Sequence, residues 1–137
     1  MPKLAHGKIA ICLLCSATIA LSACSLPAPT EAELREASPR QLCQGYAANK
    51  FNANNQALYA NELFRRKLIT AKEWTDVQGG VIRTGMREHV AVCAWGPYSH
   101  INSSAGRFGQ HNQIVIDDFG PYIYTENGKV TSWQQTF

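Results

Sequence analysis

The hydrophobic rhythm of the chain changes three times. Ile9 to Leu21 is almost continuously apolar and follows a short basic stretch, Met1 to Lys8. From Ser38 onward the apolar positions recur at helical spacing. Ser38-Pro39-Arg40-Gln41 combines a capping serine, a proline at the first helical position and a glutamine at the third. It predicts a helix from Pro39 to about Lys50 carrying Leu42, Cys43 and Tyr46, with asparagines 52, 54 and 55 as the break. The next helix is expected from about Asn55 to Lys67, with Ala57, Ala60, Phe64 and Leu68 as one apolar stripe. Thr70 and Glu73 form a capping box that opens a short helix bearing Trp74 and Val77, ended by Gly79-Gly80. Val81 to Thr84 reads as briefly extended. Met86 to Trp95 reads as a helix stopped by Gly96-Pro97.

Beyond that stop the pattern is β. Strands are predicted at Tyr98–Asn102, Asn112–Asp117, Pro121–Glu126 and Lys129–Gln135. Asn127-Gly128 joins the last two, because a type I′ turn needs two residues tolerant of positive φ. The register expected from that turn sets Glu126 opposite Lys129, Tyr124 opposite Thr131 and Tyr122 opposite Trp133. Helices followed by an antiparallel meander predict an α+β two-layer fold, N-terminal helices packed on a three- to four-stranded antiparallel sheet.

The apolar run at the N-terminus is about 13 residues, too short to span a bilayer and suited to a signal-peptide core. It closes on Leu21-Ser22-Ala23-Cys24, which resembles the bacterial lipobox. That resemblance implies a signal peptide over 1–23 and diacylglycerol plus an acyl chain on Cys24; three chains would anchor permanently. An ordinary secretory signal with a coincidental Cys24 is the alternative. Neither Ser25 nor Leu26 is the aspartate that generally retains lipoproteins on the inner membrane, so the outer membrane, periplasmic face, is expected. Residues 24–37, with Pro27 and Pro29, read as a lipidated cysteine and tether, and 38–137 as one domain, helical over 38–78.

Composition changes little in this picture. With 137 residues, 45% hydrophobic and 17% charged, the chain fits a single small domain after its leader. The formal charge of +3 is inflated by the leader: removing Lys3 and Lys8 from 13 basic residues leaves 11 against 10 acidic. No basic run remains to attract nucleic acid. Of five cysteines, Cys12 and Cys15 leave with the signal and Cys24 is acylated, leaving Cys43 and Cys93. An oxidising compartment favours one disulfide between them, worth roughly 4 kcal/mol for a loop of about 50 residues. Two buried thiols, or a Cys–His catalytic pair, are the other readings.

Ile82, the Gly85-Met86 step into a helix, Val90, Trp95-Gly96, the hairpin from Tyr122 to Gln134 and the lipobox together resemble the SmpA/OmlA (BamE-like) outer-membrane lipoproteins over 79–137. The chain departs from that pattern in placing Pro97 directly after Gly96. The resemblance implies two helices on a three-stranded antiparallel sheet, and a non-catalytic accessory of the machinery that assembles outer-membrane barrels.

Candidate reactive residues are Glu88, His89, His100, His111, Asp117, Asp118 and the two cysteines. No histidine pair has metal-ligand spacing, and solvated surface histidines are the expected reading. Asp118-Phe119-Gly120 spells the kinase metal motif without a nucleotide loop, and reads as a turn. Gly106 to Gly109 reads as a mobile strand connection. No catalytic residue, metal or cofactor is expected. The hairpin offers two faces, Ile123, Thr125 and Val130 on one and Tyr122, Tyr124 and Trp133 on the other. If the first is inside, the aromatic stripe is a partner-binding surface; if the second is inside, the aromatics are core, the commoner outcome. Two functions follow as expectations: a lipid-anchored periplasmic adaptor binding other envelope proteins, or an inhibitor of a hydrolase such as lysozyme or β-lactamase.

Overall fold

The computed structural model describes residues 27–135; the leader and Cys24 lie outside them. Five helices pack on one face of a four-stranded antiparallel sheet, an α+β two-layer fold. The helices are α1 (Glu31–Glu36), α2 (Pro39–Ala48), α3 (Ala53–Arg65), α4 (Ala71–Gln78) and α5 (Glu88–Trp95). The strands are β1 (His100–Gly106), β2 (Gly109–Val115), β3 (Tyr122–Glu126) and β4 (Lys129–Gln134), adjacent in sequence order.

Three helices start with reciprocal capping boxes, Thr30/Glu33, Ser38/Gln41 and Thr70/Glu73, and Asn52 caps α3. Glu73 also receives a two-pronged bond from Arg87 at the N-cap of α5, at 2.8 and 2.5 Å. That contact joins the starts of α4 and α5. The Arg87 guanidinium, with the Thr70 cap, outweighs burial and holds the Glu73 carboxyl at about 2. α5 begins two residues later than its apolar pattern suggested, and Val81–Thr84 forms no strand.

α2 and α5 lie side by side and parallel. Arg40 meets Glu88 near their starts, Cys43 is disulfide-bonded to Cys93, and a Cβ placed on Gly96 would lie 3.3 Å from that of Ala47. The core gathers Leu42, Leu63, Val77, Ile82, Val90 and Val92 from the helical layer with Ile114, Ile123 and Val130 from the sheet. Gly45 lets α3 approach: a Cβ there would sit 2.2 Å from the Tyr59 ring.

Three expectations are corrected. The stripe Ala57, Ala60, Phe64, Leu68 is not the core face of α3; Ala57 and Phe64 are exposed, while Asn55, Glu62 and Leu63 are buried. Phe64 packs edge-on against Trp74 instead, at 5.2 Å between centroids. Most of the expected tether belongs to the fold: α1 is formed, Leu34 is buried, and Arg66 Nη1 donates to the Ala37 carbonyl at 2.6 Å. The stretch left between the predicted strands ending at Asn102 and starting at Asn112 is itself strand, β1 running on to Gly106 and β2 starting at Gly109, so the connection expected at Gly106–Gly109 narrows to a two-residue hairpin turn, Arg107-Phe108.

Candidate functional site

The Asn127-Gly128 turn forms as expected and pairs Glu126 with Lys129. After one further pair the register slips. Thr125 pairs with Val130, but Tyr124 pairs with Ser132, so Thr131 is bulged out of the ladder. The slip moves every later β4 side chain to the other face: Trp133 opposes Ile123, and Gln134 opposes Tyr122. Trp133 therefore leaves the stripe. It shares the helix-facing row with Ile123 and stays 40% exposed at the sheet edge. Tyr122 and Tyr124 remain together, half-buried, on the face that carries no helix. Ile123, Thr125 and Val130 are inside, so the aliphatic face is the core face and the aromatic side is not.

The uncovered face is crossed by a polar ladder. Asn102 Nδ2 donates to Gln113 Oε1 (3.0 Å), Gln113 Nε2 to the Tyr124 hydroxyl (3.2 Å), and that hydroxyl to Gln134 Oε1 (3.4 Å). All four strands are linked by it. His111 Nδ1 lies 3.3 Å from Glu126 Oε1 on the same face. A shallow concavity of about 470 Å³ is lined there by Asn102, Ser104, His111, Gln113 and Tyr124 among others.

The two sheet edges differ. Along β4, the segment before α5 closes the first part of the edge: Gly85 N–H donates to the Val130 carbonyl (2.7 Å) and Val130 N–H to the Met86 carbonyl (2.8 Å). Along β1 no strand is paired on the outer side among the described residues. In a two-residue hairpin the flanking pair, Gly106 with Gly109, exchanges both ladder bonds. Alternation then directs the N–H and C=O groups of Ile101, Ser103 and Ala105 outward. His-Ile-Asn-Ser-Ser-Ala-Gly contains no lysine, acid or proline, the usual guards of an open edge.

The other candidates have structural surroundings. Glu88, at the start of α5, is buried and accepts from Arg40, from Asn112 Nδ2 (2.8 Å) and from the Thr125 hydroxyl. Burial would raise its carboxyl, but these donors prevail and hold it below the usual range. His89 is half-buried, not solvated; Nε2 lies 2.7 Å from the Leu68 carbonyl, and burial lowers its pKa against the pull of that carbonyl. His100, His111, Asp117 and Asp118 are exposed, and Asp118 N–H bonds the Asp117 side chain within the β2–β3 loop. Cys43 and Cys93 are joined in the disulfide, with Cα atoms 4.4 Å apart. Among the described residues no cluster of three His, Cys, Asp or Glu could hold a metal ion, and no helix is long and apolar enough to cross a membrane.

Sequence reasoning missed the open β1 edge and the Arg40–Glu88–Asn112–Thr125 network. The uncharged β1 segment was a readable signal for the first; the second has none, since its members are scattered along the chain. Compared with protein-family models, with characterised proteins and with solved structures, the chain gives no match.

Proposed function

We propose that the protein is a lipid-anchored periplasmic adaptor of the outer membrane, and that it holds another envelope protein by adding an extended segment of it to β1. The observation that supports this reading is the difference between the sheet edges: residues 85–88 close the first part of β4, whereas β1, without lysine, acid or proline, is left open along its length. An added strand gains main-chain hydrogen bonds from Ile101, Ser103 and Ala105. Tyr122 and Tyr124, two strands in from that edge on the uncovered face, would supply apolar contact with polar tips to the rest of the partner. The lipobox at Cys24 and the likeness of 79–137 to BamE-like lipoproteins point the same way.

The test is mild detergent extraction of the full chain, comparing wild type with Ser103→Pro. Proline removes one outward N–H at an edge position where its ring is tolerated. The variant should melt like wild type and lose its stoichiometric partner. A complex that survives the substitution sinks the strand-addition reading. A second reading rests on Phe108, 85% exposed at the tip of the β1–β2 hairpin: a projecting aromatic on a tight turn suits insertion into a hydrolase cleft. Dose-dependent inhibition of purified lysozyme or β-lactamase, abolished by Phe108→Ala, would favour it over the adaptor.

A further inference from the structure

The chain enters the fold at one pole. The Pro27 carbonyl accepts from Asn55 Nδ2 at 3.4 Å, and the same amide nitrogen reaches Asn49 Oδ1 at 3.3 Å. Asn49 is the C-cap of α2, so Pro27 lies beside the α2–α3 turn. Only three Cα steps separate Cys24 from Pro27, a reach of about 11 Å at full extension. From there the backbone is fixed by α1, buried Leu34 and the Arg66–Ala37 bond, so little free chain remains to act as a spacer.

That turn carries Phe51, which is 94% exposed, with Lys50 Nζ 5.1 Å from its ring centroid. An aromatic ring beside a long basic side chain is the combination that settles at a membrane interface, the ring among the glycerol groups and the amine at the phosphates. We propose that this pole docks on the phospholipid surface, Phe51 inserting beside the acylated cysteine, so that the domain sits on the membrane rather than swinging above it. The inference rests on acylation of Cys24. Phe119 is at the same end of the sheet, but Asp117 and Asp118 beside it would face lipid phosphates, so the insertion is assigned to Phe51.

The test uses the full-length lipoprotein in phosphatidylethanolamine–phosphatidylglycerol vesicles. Phe51→Cys and, at the opposite pole, Phe108→Cys each add one free thiol for a bimane label, Cys43 and Cys93 being bonded to each other. Bimane at 51 should shift to the blue and be quenched severalfold more than at 108 by lipids carrying a nitroxide near the headgroup. Mass spectrometry of the Cys24 peptide is read on the same sample. Acylated Cys24 with equal, weak quenching at both positions overturns docking and leaves the anchor standing. An unmodified Cys24 overturns both.

Discussion

Glu88 shows what one buried charge demands of its surroundings. Its three donors arrive from 48, 24 and 37 residues away, from α2, β2 and β3, and together tie the helical layer to the sheet. Glu88→Ala would leave the Arg40 charge unpaired and two buried polar groups unbonded. With Arg40 partly exposed, the loss is mainly that of the acceptor for Asn112 and Thr125 and should be about 2–4 kcal/mol in urea unfolding, with Glu88→Gln clearly less. His89 carries the opposite logic. Its folded pKa lies below the ordinary 6.5, so the unfolded chain binds the extra proton as pH falls through that value. Stability present above about pH 6.5 should therefore decline on acidification. His89→Gln, which keeps a donor for the Leu68 carbonyl, should flatten the decline between pH 7.5 and 5.5 in matched melts. Residue type alone drew attention to Glu88 and His89, but as candidates for chemistry and for solvent. Their roles are set by partners that only the fold assembles.

At the scale of elements, local signals were legible where the physics is local. The capping boxes, the proline at the start of α2, the glycines after α4 and the Asn127-Gly128 turn all act within a few residues. Phase was not legible. In α3 only Phe64 of the apolar stripe meets Trp74 at the flank while Leu63 fills the core. In β4 the turn fixed only the first two pairs before Thr131 bulged. Two predictions belong here. Trp133→Ala should cost about 1–2 kcal/mol, between the values for buried and surface positions, and Tyr124→Ala, half-buried and bonded to Gln113 and Gln134, a similar amount; one thermal melt of each checks both faces. Replacing Cys43 and Cys93 together by serine should lower stability by about 2–4 kcal/mol, seen as a lower urea midpoint that matches wild type under reductant.

For the whole molecule, the two-layer class followed from helices preceding a meander, and the candidate site did not. The aromatic stripe depended on a register that one extra residue broke, and the contrast between the edges depended on where residues 85–88 lie. Amide exchange reads that asymmetry directly. The outward amides of Ile101, Ser103 and Ala105 should exchange quickly, while the amide of Val130 on the opposite edge, bonded to Met86, should be slowed.

The direction of β1 then matters. The strand leaves the pole where α2 and α5 end and Pro27 enters, and it runs toward the Arg107-Phe108 tip, so on a docked molecule it points away from the bilayer. Two copies joining by antiparallel pairing of their β1 edges would have to stand head to foot. On one membrane leaflet they could not, if each is acylated at Cys24 as proposed and so anchored at the foot. Confinement to a surface would thus forbid the antiparallel self-pairing that an unguarded edge invites in free solution, and on the proposed reading leave it for a strand arriving from a partner.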